Sequence, residues 1–393
     1  MPSTCGRARI VAKPKIASRA EIAPFIVMEV LRAANERAAA GGDVLHLEVG
    51  QPGMGAPAAV LDAARAALTV DRLGYTEAFG LPALRERIRR HYREYYGLDV
   101  PQDRIVVTTG SSGAFLLSFL AAFDAGDRVA MAAPGYPAYR NILKALGVET
   151  VEIPVDATTR FQPSPALLDA IPGRLDGLIV ASPSNPTGTM LGSNELRALV
   201  THCRVRGIRL VSDEIYHGIT FGEPAPTLLA SAPDSIIINS FSKYFCMTGW
   251  RLGWMVLPPD LVRPVERLAQ NFFISPPSLS QHAAIAAFGA REELDARVAR
   301  YGESRALLLE QLPKAGFEDL APADGAFYIY ADSSRLSNDS EALCRDLLQE
   351  QGVAITPGVD FDPERGHRHV RISFAGAPEE IAEAARRLVA RRR

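Results

Sequence analysis

The chain has 393 residues, of which 47% are hydrophobic and 22% charged, and its net charge is -2. A chain of that length suits a large domain with a smaller one, and near-neutrality gives no bulk attraction to nucleic acid or membrane. The most apolar stretch, GAFLLSFLAAF at 113–123, falls short of the ~20 residues that a membrane span needs.

The first twenty residues carry Arg7, Arg9, Lys13, Lys15 and Arg19 and no acid. With no apolar signal core, they read as a basic arm rather than a transit peptide. Pro24 to Ala40 predicts a helix stopped by Gly41-Gly42, and LPALRERIRRHYREYYG (81–97) predicts another between Pro82 and Gly97. Strands and helices then alternate. Short apolar strands are predicted at 104–109, 128–133, 150–155, 177–182, 208–212 and 235–240, with RLGWMVL (251–257) as one more. Helices follow 104–109 as far as Phe123, cover Tyr139 to Leu146, and fill 194–206. Such runs suit a mostly parallel sheet covered on both faces. After Pro259 the texture changes to long helices at 260–273 and 279–314. A strand in GAFYIYA (325–331), a helix at 340–351, strands VAITP and HVRISFA, and a final helix from Pro378 complete the chain. The C-terminal ARRLVARRR reads as a helix end with cations at the negative pole of the dipole.

None of the four cysteines, Cys5, Cys203, Cys246 and Cys344, forms a CxxC pair. That argues against a disulfide framework or zinc site and fits a reducing, cytoplasmic compartment. Cys246 reads as a buried inert thiol. His367 and His369 in GHRHV lack the further ligands that a metal needs, so no metal site is assigned.

Polar residues close four of the strands. VVTTGSSG puts Ser111 and Ser112 where a strand becomes a helix, a natural seat for an anion. ASPSNPTG sets Asn185 after a strand; VSDEIYHG sets Asp213 and Tyr216; INSFSK sets Ser240, Ser242 and Lys243. Ligands of open α/β sheets gather at such ends. Lys243 sits among hydroxyls and aromatics with no acidic neighbour, and Arg251 follows in GWRLG. Taken singly, each has a plain structural explanation. Asn185 suits a turn before Pro186, Asp213 a cap, and Lys243 a snorkelling surface lysine. Tyr136 in PGYPAY could simply pack. Arg371 in HVRISFA could be a surface arginine, although Val370, Ile372 and Phe374 around it are apolar.

Taken together and in order, SPSNPTG, SDEIY and SFSK with GWRLG resemble the fold type I enzymes that use pyridoxal 5′-phosphate. Within these the chain is most similar to the class I/II aminotransferases, the aspartate/aromatic aminotransferase-like group, from about Val44 to Phe374. The resemblance implies the PLP-dependent transferase fold type I, an α/β architecture with a mostly parallel sheet in a large domain (46–290) and a smaller α+β domain (291–393). The arm and first helix (1–45) join the smaller one. Lys243 would be the catalytic amine that attaches the cofactor aldehyde. Asp213 would face the ring nitrogen, Tyr216 and Asn185 the phenolic oxygen, and Tyr136 the ring itself. Arg251, Ser240, Ser242, Ser111 and Ser112 would hold the phosphate. Arg371, Asn185 and the Gly50 amide would bind the substrate carboxylate. Tyr75, in YTEAFGLPALRERI, would reach the phosphate of a second subunit, which implies a homodimer. Glu214 is expected to be solvated or ion-paired, and His217 to line the site.

The implied reaction moves an amino group from an L-amino acid to a 2-oxo acid such as 2-oxoglutarate, both small molecules. GSSGAFLLSF (110–119) offers no cation for a second carboxylate, so neutral or aromatic side chains are expected over aspartate, which stays possible. The entrance loop GQPGMGAP (50–57) also departs from the family pattern. Two other readings share the scaffold: a carbon–sulfur β-lyase releasing pyruvate and ammonia, and an effector-binding domain of a transcription regulator. For the latter, the N-terminal arm is too short to hold a helix-turn-helix.

Overall fold

The computed structural model describes residues 14–391. The expectations placed on Cys5, Arg7, Arg9 and Lys13 therefore lie outside the described residues. In chain order the strands are β1 (Leu45–His46), β2 (Ile105–Thr108), β3 (Arg128–Ala133), β4 (Glu149–Pro154), β5 (Gly177–Ala181), β6 (Arg209–Asp213), β7 (Ile236–Ser240), β8 (Gly253–Val256), β9 (Tyr328–Asp332), β10 (Val353–Ala354), β11 (Thr356–Pro357) and β12 (His369–Ser373).

Seven of them form one sheet in the order β2-β8-β7-β6-β5-β3-β4. Its pairings are parallel except for β8, which runs antiparallel to both β2 and β7. The strands are mostly apolar, and their alternation sorts two cores. Val106, Met131, Ile179, Val211, Ile238 and Met255 pack on one side of the sheet. Val107, Ala130, Leu178, Leu210, Ile237 and Trp254 pack on the other. The second assembly is a three-stranded antiparallel sheet, β11-β12-β9, and β1 pairs with β10 in parallel. No helix among the described residues is long and apolar enough to cross a membrane.

The first five helices are α1 (Ile26–Ala39), α2 (Ala58–Val70), α3 (Pro82–Tyr96), α4 (Gly110–Ala122) and α5 (Pro137–Leu146). Helix α2 has no counterpart among the sequence expectations. Its buried face is Val60, Ala64 and Ala67, of which Val60 and Ala64 pack in one core with Ala283, Ala284 and Ala287. The helix expected at 279–314 is two helices, Ser278–Ala287 and Arg291–Ala315. The break falls at Gly289, a poor helix former, beside Phe288, whose ring packs on Phe245 at 4.9 Å. The helix expected at 340–351 ends as an α-helix at Asp346 and continues as a π turn to Gln351. VAITP is divided between two sheets, with β10 on β1 and β11 on β12.

Ile238 is fully buried in the centre of the large sheet, whereas Val205 is 83% exposed. Ile238→Ala should cost about 2–5 kcal/mol in urea unfolding, and Val205→Ala less than about 0.5 kcal/mol. Equal costs would contradict this placement of the core.

Candidate active site

Strand register brings the polar strand ends to one edge. Thr108 of β2 and Ser240 of β7 both pair with Gly253 of β8, from opposite sides. Asp213 of β6 pairs with Ile238 on one side and Ala181 of β5 on the other. The chain therefore leaves β2, β5, β6 and β7 at the same edge, each time just before a candidate residue.

The N-terminus of α4 faces a guanidinium. Gly110 has φ +70°, and a Cβ on it would lie 2.8 Å from Nη2 of Arg251. Only glycine leaves this approach open and adopts that φ without strain. Arg251 donates through Nη1 to the Thr248 carbonyl at 3.0 Å. Its side chain borders a cavity of about 540 Å³ shared with Gln51, Met54 and Thr248. Backbone N–H groups at a helix start and a guanidinium fork together suit a phosphate. Ser240 and Ser242 lie buried beside them. The Ser240 hydroxyl is already engaged, donating to the Leu252 carbonyl at 3.3 Å and accepting from the Ser242 amide at 3.0 Å.

Lys243 donates from Nζ to the Gly50 carbonyl at 2.5 Å and sits 5.7 Å from the Tyr216 ring centre. Burial, with the Arg371 charge second, lowers its pKa to about 8. Such an amine is partly neutral at mildly alkaline pH and can attack a carbonyl carbon. Asp213 is buried. Its Oδ2 accepts from the Tyr139 hydroxyl, and its Oδ1 accepts from the Ile215 amide at 2.9 Å. Burial outweighs these bonds and raises the carboxyl pKa to about 6.

Arg371 is 2% exposed. It donates to Asn185 Oδ1 at 2.9 Å, to the Glu48 carbonyl, and to Thr356 Oγ1 at 3.3 Å, while Nε has no partner. Every acceptor in that set is neutral. Its guanidinium lies 4.3 Å from the Tyr328 ring centre and 4.7 Å from that of Phe361. The Asp360 carboxylate acts on this charge through space but makes no ion pair with it, and a carboxylate ligand in direct contact would compensate the buried cation. The Tyr328 and Tyr216 hydroxyls are 2.7 Å apart. A Cβ at Gly50 would come 1.7 Å from the Tyr328 oxygen, so close approach demands glycine there.

The half-buried Tyr136 meets Tyr139 edge-on at 5.2 Å and Phe25 at 5.8 Å, and burial raises its pKa to about 12. Tyr75 is different: it is 84% exposed, and this chain does not bring it into the site. Glu214 is neither solvated nor ion-paired to a Lys or Arg. It is buried, its Oε1 accepts from Ser212, Thr227 and the Leu228 amide, and burial raises its pKa to about 7. His217 lies behind the site, with Nε2 donating to the Ser182 carbonyl at 3.0 Å and Nδ1 2.7 Å from the Tyr96 hydroxyl. Cys246 is buried, which raises its thiol pKa. His369 stacks flat on Tyr330 at 5.0 Å, and no group of three potential ligand side chains that could hold a metal occurs among the described residues. Sequence reasoning missed Tyr139 and Tyr328. Tyr139 lies in the same PGYPAY segment as Tyr136, and Tyr328 in GAFYIYA, so position was the only signal available.

Residues 42–388 match the family described as aminotransferase class I and II. The chain is 52% identical to the valine–pyruvate aminotransferase of Mycobacterium tuberculosis, over 95% of this chain and 97% of that protein. It superposes on a crystal structure of an aminotransferase from M. tuberculosis with a TM-score of 0.94 at 51% identity, covering 96% and 99% of the two chains. Against the aspartate aminotransferase of Thermus thermophilus with maleate, the TM-score is 0.90 at 31% identity, covering 96% and 100%.

The Lys243 amine should titrate near pH 8 in cofactor-free protein, protonated below and neutral above. Reductive ¹³C-methylation with NMR would separate it from surface lysines, which titrate near ~10.4. A Lys243 resonance that titrates with the surface lysines would contradict the enclosure described.

Proposed function

The chain belongs to the class I and II aminotransferases, enzymes that depend on pyridoxal phosphate, and from that premise we propose that it transfers the amino group of valine, or a similar neutral amino acid, to pyruvate. The observation that carries the reading is Arg371, a buried guanidinium with only neutral partners, next to the Asn185 amide and near the Lys243 amine. An α-carboxylate held there would neutralise the charge. The choice of valine and pyruvate leans on the relative at 52% identity. It narrows the neutral-or-aromatic donor to valine and the 2-oxo acid acceptor to pyruvate. The absence of a cation in 110–119 supports the same choice.

When bound, pyridoxal phosphate supplies an aldehyde that takes up amines and a ring that withdraws electrons from the amino acid's α-carbon. The residues around the site suit that group. Arg251 and the start of α4, with Ser111, Ser112 and Ser242, would hold the phosphate; the engaged Ser240 hydroxyl supports the turn. Asp213, raised to about 6 in its present surroundings, would keep a proton on the ring nitrogen. Tyr216 and Asn185 would bond the phenolic oxygen, and Tyr136 would cover the ring. Lys243 would anchor the aldehyde and, once displaced by the substrate amine, take the α-carbon proton as general base. Its pKa of about 8 suits that task.

Tyr75, exposed in the single chain, would complete the phosphate site of a second copy, making the enzyme a homodimer. The division into a large domain (46–290) and a smaller one (291–393, with 1–45) belongs to the same reading. So does a cytoplasmic setting, supported by the free, buried Cys203, Cys246 and Cys344.

Steady-state kinetics with valine, alanine, phenylalanine and aspartate, against pyruvate and 2-oxoglutarate, tests the assignment. Valine with pyruvate should give the highest kcat/KM, with aspartate at least about tenfold lower. Lys243→Ala should abolish turnover, and Arg371→Lys should raise KM for valine about tenfold or more, because an ammonium cannot match the planar fork. Aspartate preferred over valine, or ammonia released in step with turnover, would contradict the proposal.

A further inference from the structure

Helix α1 starts without a cap of its own: Phe25 in the N-cap position offers no side-chain hydrogen bond. The cap comes from far along the chain. Asp360 accepts from the Ile26 amide at 3.1 Å and from the Val27 amide at 3.2 Å, one carboxylate oxygen each. Asp360 is itself buried, in the turn Gly358–Asp360. That turn is tied to the site by its backbone. The Gly135 amide donates to the Phe361 carbonyl at 3.0 Å, and Arg140 of α5 donates to the carbonyls of Asp360 and Phe361. The Phe361 ring lies 4.7 Å from the Arg371 guanidinium. Asp360 thus joins the start of α1 to the Tyr136 segment on one side and to Arg371 on the other.

Phe25 is fixed at this junction. Its ring meets Tyr136 edge-on at 5.8 Å, and Asn141 Nδ2 donates to the Ala23 carbonyl at 3.4 Å just before it. Phe25 therefore packs beside Tyr136, at the start of the helix that Asp360 caps. The cation one turn beyond Tyr136, Arg140, is taken up by the two carbonyls and by Glu152 at 3.7 Å. It is not free for a second carboxylate.

We propose that Asp360 is a positioning residue that clasps the start of α1 and so holds Phe25 as an apolar wall of the amino-acid side-chain pocket, selecting uncharged side chains. The inference rests on the aminotransferase reading for its substrate. The clasp itself does not. A carboxylate that satisfies two orphan helix amides fixes the entry of the segment, and an aromatic wall favours an aliphatic side chain over a charged one.

The test uses holoenzyme in wild-type, Phe25→Ala, Asp360→Ala and Asp360→Asn forms, with two readouts. The first is tryptic cleavage after Arg19, exposed in the short turn Ser18–Ala20 ahead of Phe25. The second is kcat and KM for valine and for aspartate, with pyruvate as acceptor. Asp360→Ala should speed cleavage about fivefold or more by releasing the segment. Both alanine variants should raise KM for valine about tenfold and leave kcat within about twofold; Phe25→Ala should leave KM for aspartate unchanged, and Asp360→Ala, which also removes a carboxylate acting on Arg371, should not raise it. Asp360→Asn should fall between, since its amide oxygen still accepts one of the two N–H groups. Wild-type cleavage and wild-type valine KM in Asp360→Ala would overturn the proposal. So would an equal loss of kcat for both amino acids, which marks a general structural defect. If the wild-type enzyme transfers no amino group at all, the functional reading falls, and the cleavage rates alone decide the clasp.

Discussion

Two cations enclosed with neutral partners dominate this molecule. Lys243 donates to the Gly50 carbonyl, and Arg371 to Asn185, Thr356 and the Glu48 carbonyl. Withdrawing a charge from water costs several kcal/mol even after relaxation unless an ion pair repays it; Asp213 offsets part of the Lys243 penalty and Asp360 acts on Arg371, but neither forms an ion pair with its cation. Asp213 adds an opposite burden, a carboxyl whose pKa is pushed up by burial. The folded Lys243 pKa of about 8 lies below its ordinary 10.5, so its penalty is complete below pH 8 and relieved as pH rises toward 10.5. The folded Asp213 pKa of about 6 lies above its ordinary 3.8, so its penalty is complete above pH 6 and relieved as pH falls toward 3.8. Both penalties are therefore complete between pH 6 and 8. A ligand that removes the ammonium, supplies a cationic ring nitrogen and brings a carboxylate would relieve all three groups together.

The large sheet makes this arrangement affordable. Antiparallel β8 lies between β2 and β7, and its Gly253 lines up Thr108 with Ser240. That one register places the start of α4, the turn before Lys243 and the Arg251 side chain at a common edge. The smaller sheet contributes Arg371 from β12 and Tyr328 from β9, neighbours that pair antiparallel. Tyr328 then links the two halves, with its hydroxyl on Tyr216 and its ring under Arg371.

Much of this was legible in the sequence, for identifiable reasons. The inner strands of the large sheet, such as β5 and β7, are buried on both faces, so they appear as apolar runs. Arg371 stood out because its neighbours on the strand are apolar. What escaped depends on contacts that local sequence does not encode. Tyr139 and Tyr328 look like ordinary packing tyrosines until their hydroxyls are seen on Asp213 and Tyr216. Glu214 reads as a solvated or ion-paired acid, yet it is buried and bonded to Thr227 and Leu228. Helix α2 is rich in alanine, and the small buried face it turns to Ala283 and Ala284 gives a weak pattern. The cap of α1 lies at Asp360, where no motif would lead a reader to look.

The central claim is that the Lys243 amine is the attachment point for the cofactor. Incubating the purified protein with pyridoxal phosphate, reducing with borohydride and mapping peptides by mass spectrometry tests it directly. The account predicts a single reduced phosphopyridoxyl adduct on the peptide that contains Lys243. An unmodified Lys243, with the adduct absent or confined to surface lysines such as Lys144 or Lys314, would contradict it.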